Sequence, residues 1–338
     1  MTTILDRLRE AGAAVVGFDL KFDGPSQDEP SATGTEIDER FAASIARLPV
    51  VIGFTMTQGD GNGEVISKAL IGFFGSGFNP VDHLHRFPAA TADLSALQSA
   101  AHGVGYANVD VDADGYIREA PIIAMLREKL VPSFAAEVVR VAKAKSVYIA
   151  AGNRYGLDRV LTGNISVRTN QAGDVSLHYG HSRPERFIHA SDVLAGTFDK
   201  NRVAGRIVLV GVSAPSLGDQ CPSPFGAKIP GVEILAQFVE EILNGELLSR
   251  PNWMAGLEVL TGMIAAVVVA AIASADRVWI FAVSAALIVL TASLSAVAYV
   301  WWHVLATPVL PAFTIAVATA GAALLRGRPP PVRQQVGA

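Results

Sequence analysis

The 338-residue chain carries 27 basic and 31 acidic side chains, a formal charge of −4 that gives no reason to expect a nucleic-acid partner. Its single cysteine, Cys221, excludes an internal disulfide and a cysteine-based zinc cluster. Charged residues make up 17% against 51% hydrophobic, whereas soluble proteins carry about 25% charged, so part of the chain is expected in lipid.

The predicted elements begin with a helical pattern over Ile4–Ala11. "AGAAVVGFDLKF" then holds a short β-branched apolar run, the pattern of a strand buried on both faces, and leaves Asp19 at its carboxyl end. A helix over Glu36–Arg47 leads to a second such strand in "LPVVIGFTM". "TQGDGNGE" and "GFFGSGFN" are glycine-rich but lack the strand–GxxxxGK(S/T)–helix form of a phosphate loop, and both read as loops. His83 and His85 in "DHLHRF", like His178 and His181 in "HYGHS", have spacings compatible with metal ligation. Each pair alone falls short of the four ligands that tetrahedral zinc takes, so surface or strand-edge histidines are expected.

"NVDVDADGYIREAP" places Asp110, Asp112, Asp114 and Gly115 where a calcium loop of the EF-hand type would put its first ligands and its turn glycine. Such a loop needs a bidentate glutamate at its twelfth position and helices on both sides. The twelfth position here is Pro121 and the flanks alternate like strands. A hairpin is expected instead, with "GVGYANVDV" and "YIREAPII" joined at Asp-Gly, a favoured turn because glycine accepts positive φ. A looser aspartate-ligated cation at these three aspartates stays open.

Further along come a helix over Ser133–Ala144, a hairpin in "ISVRTNQAGDVSLHYG" and a third doubly buried strand in "AGRIVLVGVSA". A helix follows over Gly231–Asn244, with Val232, Leu235, Ala236, Val239, Ile242 and Leu243 on one face and Gly245 as its terminator. Alternating helices and buried strands imply an α/β domain, a mostly parallel sheet layered with helices and carrying added hairpins. This domain is expected to occupy residues 1–250.

Beyond Arg250 the composition changes. Trp253–Ala275, Val278–Trp302 and Val304–Leu325 are three almost uncharged runs, each with the roughly 20 apolar residues a helix needs to cross a bilayer core. Trp253, Trp279, Trp301 and Trp302 stand at run ends, where indole rings sit at headgroup level. A three-helix transmembrane region over 251–325 is therefore expected, with a Pro/Arg-rich tail over 326–338. Three crossings put the α/β domain and the tail on opposite faces. Arg277, Arg326, Arg328 and Arg333 place the tail in the cytoplasm and the domain outside. Glu258, inside the first run, is expensive at that depth. It is expected to be neutral, to face the bundle or to be drawn up to the interface, and it is the candidate for transmembrane signalling. No segment before Trp253 has the form of an export signal, so a start upstream of Met1 is expected.

Four stretches carry a family resemblance: "VVGFDLKFDGPS", "GYANVDVDADGYIREAPI", "ASDVLAG" and "GRIVLVGVSAPSLGDQCPSPFGAKIPGVEILAQFVEEILNGELLSRP". Over about Ile4 to Pro251 the chain resembles the CHASE domain of the second type, an extracytoplasmic sensory domain of bacterial membrane receptors. The resemblance implies an N-terminal span and first strand before Ile4, three further spans after the domain, and a cytoplasmic output such as a nucleotide cyclase or protein kinase. No cyclase or kinase motif stands in these residues, so the chain itself is expected to be a non-catalytic sensor that needs no cofactor.

Ligands of open α/β sheets bind beyond the carboxyl ends of strands. Asp19, Ser213, Ser216 and Asp219 are the candidates for such a pocket, the last ahead of a proline-rich loop entering the helix near Gly231. The competing role for the two aspartates is the fastening of turns. The expected partners are the bacterial plasma membrane, a small-molecule or envelope signal, and a second copy in a homodimer. The alternatives are the regulatory half of a membrane cyclase or kinase and a membrane-anchored docking protein.

Overall fold

The computed structural model describes residues 1–25, 34–61, 63–75, 80–109, 112, 114–214, 220–226, 228–251, 253–274 and 276–326. Two units result, Met1–Leu247 and Leu248–Ala338. The first opens with α1 (Thr2–Glu10), β1 (Val15–Asp19), α2 (Gly34–Ile45), β2 (Val50–Thr57) and β3 (Leu70–Gly75). It continues through β4 (Arg86–Phe87), β5 (Ala89–Thr91), α3 (Ser95–Ala100), β6 (Gly103–Tyr106), β7 (Glu119–Pro121), β8 (Ile123–Leu126) and β9 (Lys129–Pro132). Then come α4 (Phe134–Ala142), β10 (Val147–Asn153), β11 (Gly156–Thr162), β12 (Ile165–Arg168) and β13 (Asp174–Ser176). It closes with α5 (Ala190–Ala195), β14 (Ile207–Gly211), β15 (Gln220–Pro222), β16 (Lys228–Pro230) and α6 (Gly231–Asn244).

The three apolar runs become neighbours, but only two are buried on both faces. β1 and β2 lie inside the sheet, whereas β14 stands at its end and is half-buried throughout, which corrects the expectation for "AGRIVLVGVSA". β14, β1, β2 and β6 lie side by side in parallel, and β5 adds antiparallel to the end of β2. Alternation sends Val15 and Val51 to one face, where α4 and α6 pack with Phe134, Val138, Ile234 and Phe238. Val16, Phe18, Val50, Ile52 and Val104 turn to the other, against α1, α2 and α3. Both faces of β1 and β2 are covered, which is why these two strands read as continuous apolar runs. Ile207 and Leu209 of β14 pack on one face and Val208 and Val210 on the other, while staying partly exposed at the end of the sheet.

α4 starts from a Ser133 cap whose hydroxyl accepts the Ala136 N–H at 3.3 Å. It sits unusually close to the sheet. A Cβ on Gly105 would stand 2.7 Å from the Phe134 Cα, and one on Gly17 2.8 Å from the Phe134 ring. The helix also buries charge: Arg140 donates to both Glu137 carboxylate oxygens at 2.7 and 2.9 Å, and the Tyr148 hydroxyl donates to Glu137 at 3.1 Å. Arg140 further donates to the His102 carbonyl at 2.9 Å, so the pair is hydrogen-bonded on several sides.

A second sheet has the order β12-β11-β10-β3, and small sheets β4-β8-β9, β13-β7 and β15-β16 complete the α/β architecture. Three local expectations change. The turn at Asp112–Tyr116 forms, with Gly115 at φ 89, but its flanks diverge: β6 joins the central sheet and β7 pairs with β13. "ISVRTNQAGDVSLHYG" likewise makes its turn at Asn170–Asp174, yet β12 pairs with β11 and β13 with β7. Each turn sits at a corner between sheets, where a better-matched partner strand is available to either side. Gly72–Gly75 of "GFFGSGFN", read as loop, is the end of strand β3, held parallel to β10; residues 76–79 lie outside the described residues.

The second unit contains α7 (Met254–Ala271), α8 (Arg277–Trp302) and α9 (Val309–Arg326). α7 and α8 are long and apolar enough to cross a membrane, whereas the apolar stretch of the third, Val309–Leu324, is shorter. The third run thus begins as helix only at Val309: Val304 is bridged to Ser249 in extended conformation, and Pro308 ends that segment. α9 meets α7 where Gly262 faces Thr314, and meets α8 through a 2.6 Å hydrogen bond from the Thr319 hydroxyl to that of Ser284. Small residues and hydroxyls at helix crossings are how apolar helices pack without a hydrophobic drive between them.

Gly105→Ala is expected to lower the stability of the full chain by about 1–3 kcal/mol, because the new methyl meets backbone that cannot rotate away. Thermal unfolding in detergent, followed by circular dichroism, measures it.

Candidate functional site

The central sheet changes winding direction at β1: the chain runs from β1 to β2 and β6 on one side, and returns on the other as β14. Ligand sites of open α/β sheets lie outside the carboxyl ends of strands at this kind of switch point. Asp19 and Gly211, the last residues of β1 and β14, are register partners, and Ser213 follows two residues on. Asp19 and Ser213 therefore lie at the carboxyl ends of adjacent strands. Ser216 and Asp219 lie outside the described residues.

The N-terminus of α6 is at the same edge. A Cβ on Gly211 would stand 2.7 Å from the Val232 Cβ and 3.4 Å from that of Asp19. Only glycine at 211 lets the helix start this close to β1 and β14. The free amides of the first turn and the positive end of the helix macrodipole give this edge a preference for anionic groups, set against the carboxylate of Asp19.

On the opposite face of the sheet from α6, the chain leaving β1 covers an acid that sequence reasoning missed. Asp93, buried just after β5, accepts the Phe22 N–H through Oδ1 at 2.8 Å, so it grips the chain leaving β1. Its Oδ2 is buried and has no hydrogen-bond partner among the described residues. Burial pushes the Asp93 carboxyl up from its ordinary 3.8 to about 7, the Phe22 N–H opposes this, and neighbouring Asp23 adds to it. In "TADLSAL" Asp93 looks like an ordinary helix-start residue; only the packing of the β1 exit over it creates the burial.

α6 is gripped along its outer side. The His178 N–H donates to Glu241 Oε2 at 3.0 Å, the Gly180 N–H to Gln237 at 3.0 Å, and Arg186 forks onto Glu240 at 2.7 and 3.0 Å. Burial pushes the Glu241 carboxyl up to about 8. The histidine pairs do not gather: His85 contacts Asp174 at 2.8 Å, and His178 uses its backbone on α6. Among the described residues no group of three His, Cys, Asp or Glu side chains is placed to hold a metal. Asp112 and Asp114 instead receive the Arg118 guanidinium, at 2.5 and 2.7 Å, which holds the Asp114 carboxyl down at about 2. An internal cation occupies the acidic turn; Asp110 lies outside the described residues.

In the second unit, Glu258 faces inward at 7% exposure. Arg250 donates to its Oε2 at 2.8 Å and the Thr307 N–H to its Oε1 at 2.7 Å, while Arg250 also reaches the Thr307 hydroxyl at 2.6 Å. The Ser249 N–H donates to the His303 carbonyl and the Leu305 N–H to the Ser249 carbonyl, both at 2.9 Å. The segment entering α7 is thus tied to the α8–α9 connection, with Glu258 as the knot. Glu258 faces the bundle, one of the placements expected of it, with Arg250 on one carboxylate oxygen and a loop amide on the other.

A family model for the CHASE2 domain matches residues 1–274. The chain belongs to the CHASE2 domain family. CHASE2 domains are extracytoplasmic sensory domains, and the match runs from α1 through α7. No curated protein and no solved structure matches the chain.

Two outcomes follow from this geometry. The folded CHASE2 chain keeps a proton on Asp93 between about pH 4 and pH 7, where the unfolded chain has released it, so this group makes stability fall as pH rises through that window. Asp93→Asn is expected to flatten that part of the pH dependence and to raise the melting temperature at pH 8, read from thermal unfolding across pH. For the knot, Arg250→Ala and Glu258→Gln are expected to be non-additive, with a coupling of about 1 kcal/mol in a double-mutant cycle of thermal unfolding. Additive effects would mean that the two side chains do not hold each other.

Proposed function

We infer that the chain is a membrane-bound sensory input module that detects an extracytoplasmic signal and relays it across the membrane to a cytoplasmic output module. The observation that carries this reading is the CHASE2 match itself, which runs without a break from the α/β unit into the first apolar helix. The signal binds at the β1/β14 switch point, with Asp19, Ser213, Ser216 and Asp219 as its contacts. The placement of Asp19, Ser213 and the start of α6 at one sheet edge supports this.

Relay requires two conformations that the ligand binds with different affinity. α6 is suited to couple them. It begins at the switch point and ends at Gly245, three residues before the Leu248–Arg250 segment that is tied through Glu258. A ligand that repositions its first turn changes the pull on that segment. Three crossings, α7, α8 and the shorter α9, put the sensory unit outside and the arginine-rich tail in the cytoplasm, in keeping with the distribution of positive charge. The working receptor is a homodimer in the plasma membrane.

Single cysteines in a Cys221→Ser background test the topology. Leu194→Cys, at a 48% exposed site on α5, is expected to react with a membrane-impermeant maleimide in spheroplasts. Arg333→Cys is expected to react only after permeabilisation. Labelling of both from the same side would overturn the relay.

A further inference from the structure

Among the described residues, the second sheet has one face open to solvent. Leu70, Phe74, Val147 and Ile149 are 68, 76, 42 and 46% exposed there, while Tyr148, Ala150, Val160 and Val167 on the opposite face are buried. Val147, Ile149 and Leu161 floor a groove of about 340 Å³, and Lys145 lines one wall of it.

Register adds charge to this face. Phe74 pairs with Ala151, Ala151 with Arg159, and Arg159 with Arg168, so the four form one cross-strand row. Like charges directly opposite in an antiparallel pair repel. Asp158 accepts from Arg159 Nε at 2.9 Å, but no acidic side chain among the described residues pairs with Arg168. The same end of the sheet holds the β10–β11 turn, where the Arg154 guanidinium lies 5.0 Å over the ring of Tyr155, itself 55% exposed. Opposed arginines beside exposed aromatic and aliphatic side chains call for a partner that is anionic at one level and apolar just beneath it. An acidic bilayer surface has that layering. A second copy of this face does not, because it would bring a further set of arginines against the first.

We propose that this face of the β12-β11-β10-β3 sheet docks on an anionic phospholipid surface, with headgroup phosphates bridging Arg159 and Arg168 and with Phe74 and Tyr155 entering the interface. The proposal rests on the membrane-bound reading above. It adds a second point of contact with the bilayer, made by the sensory unit itself.

The test uses the full chain with Cys221→Ser and a fluorophore at Ser146→Cys, which lines the groove, or at Leu194→Cys on α5 as control. Each is placed in nanodiscs of phosphatidylcholine alone or with about 30% phosphatidylglycerol, and quenched by a headgroup spin-labelled lipid. The Ser146→Cys label is expected to be quenched in the anionic discs well beyond both the control label and the neutral discs. Neutralising Arg159→Gln and Arg168→Gln together is expected to lower the ratio of docked to free unit about 25-fold, roughly fivefold per charge. Arg159→Lys with Arg168→Lys is expected to restore most of it. Because the glutamines remove a like-charge pair at an exposed site, the melting temperature is expected to hold or rise, which separates lost docking from lost folding.

Quenching that ignores phosphatidylglycerol, or survives the glutamine pair, overturns the docking alone. Label self-quenching that grows with the number of chains per disc and is equal in both lipids assigns the face to a second copy, and also overturns it. A chain left in the aqueous fraction on detergent removal overturns the membrane-bound reading and the proposal with it.

Discussion

The close seating of α4 on the parallel sheet is the constraint from which the sensory unit follows. Phe134 sits over Gly17 and Gly105 at distances that leave no room for a side chain on either strand. Because the helix is this near, Phe134, Val138 and Val139 are buried in one apolar cluster with Ile234, Leu235 and Phe238 of α6. The same approach drives Glu137 and Arg140 out of water, at 0 and 6% exposure. Burial at that level is tolerated because Tyr148 and the His102 carbonyl complete the hydrogen bonding of the pair. A buried, fully partnered pair specifies one orientation of the helix, since any rotation would strand a charge.

With α4 placed, α6 has one groove to occupy, and its start is forced against the ends of β1 and β14. The close approach at the ends of β1 and β14 is thus a by-product of core packing: the glycine at 211 lets Val232, in the first turn of α6, lie against the strand, with Asp19 beside it. On the other face, beneath the exit of β1, Asp93 holds a buried carboxylate oxygen with no hydrogen-bond partner among the described residues. A buried carboxyl of that kind costs stability.

The second unit uses another chemistry for a similar purpose. Between apolar helices the directional contacts are polar and few: Ser284 with Thr319, and the Arg250–Glu258–Thr307 knot. The knot gathers the entering segment, the first apolar helix and the connection before the last. Each of the three parts donates to or accepts from the other two, so the tie fixes their mutual placement.

Much of this was legible in the residues themselves. The doubly buried strands β1 and β2, the helices over α1, α2, α4 and α6, the Gly245 stop and the apolar character of the C-terminal unit all follow from local periodicity, because side-chain burial repeats with the geometry of the element. That β14 would stand half-buried at the end of the sheet was not local. The placement of Asp19 and Ser213 at strand ends was equally local. Pairing was not. β6 and β7 flank a genuine Asp-Gly turn yet leave it for different sheets, and β12 and β13 do the same, because a turn closes over a few residues whereas strand partnership is decided by which distant edge offers the better match. The burial of Asp93, the pairing of Arg118 with Asp112 and Asp114, the late start of α9 and the convergence of Arg250 and Thr307 on Glu258 belong to that second class. Each depends on residues tens of positions apart or on a turn's exact closure, and only the folded chain brings their atoms within reach.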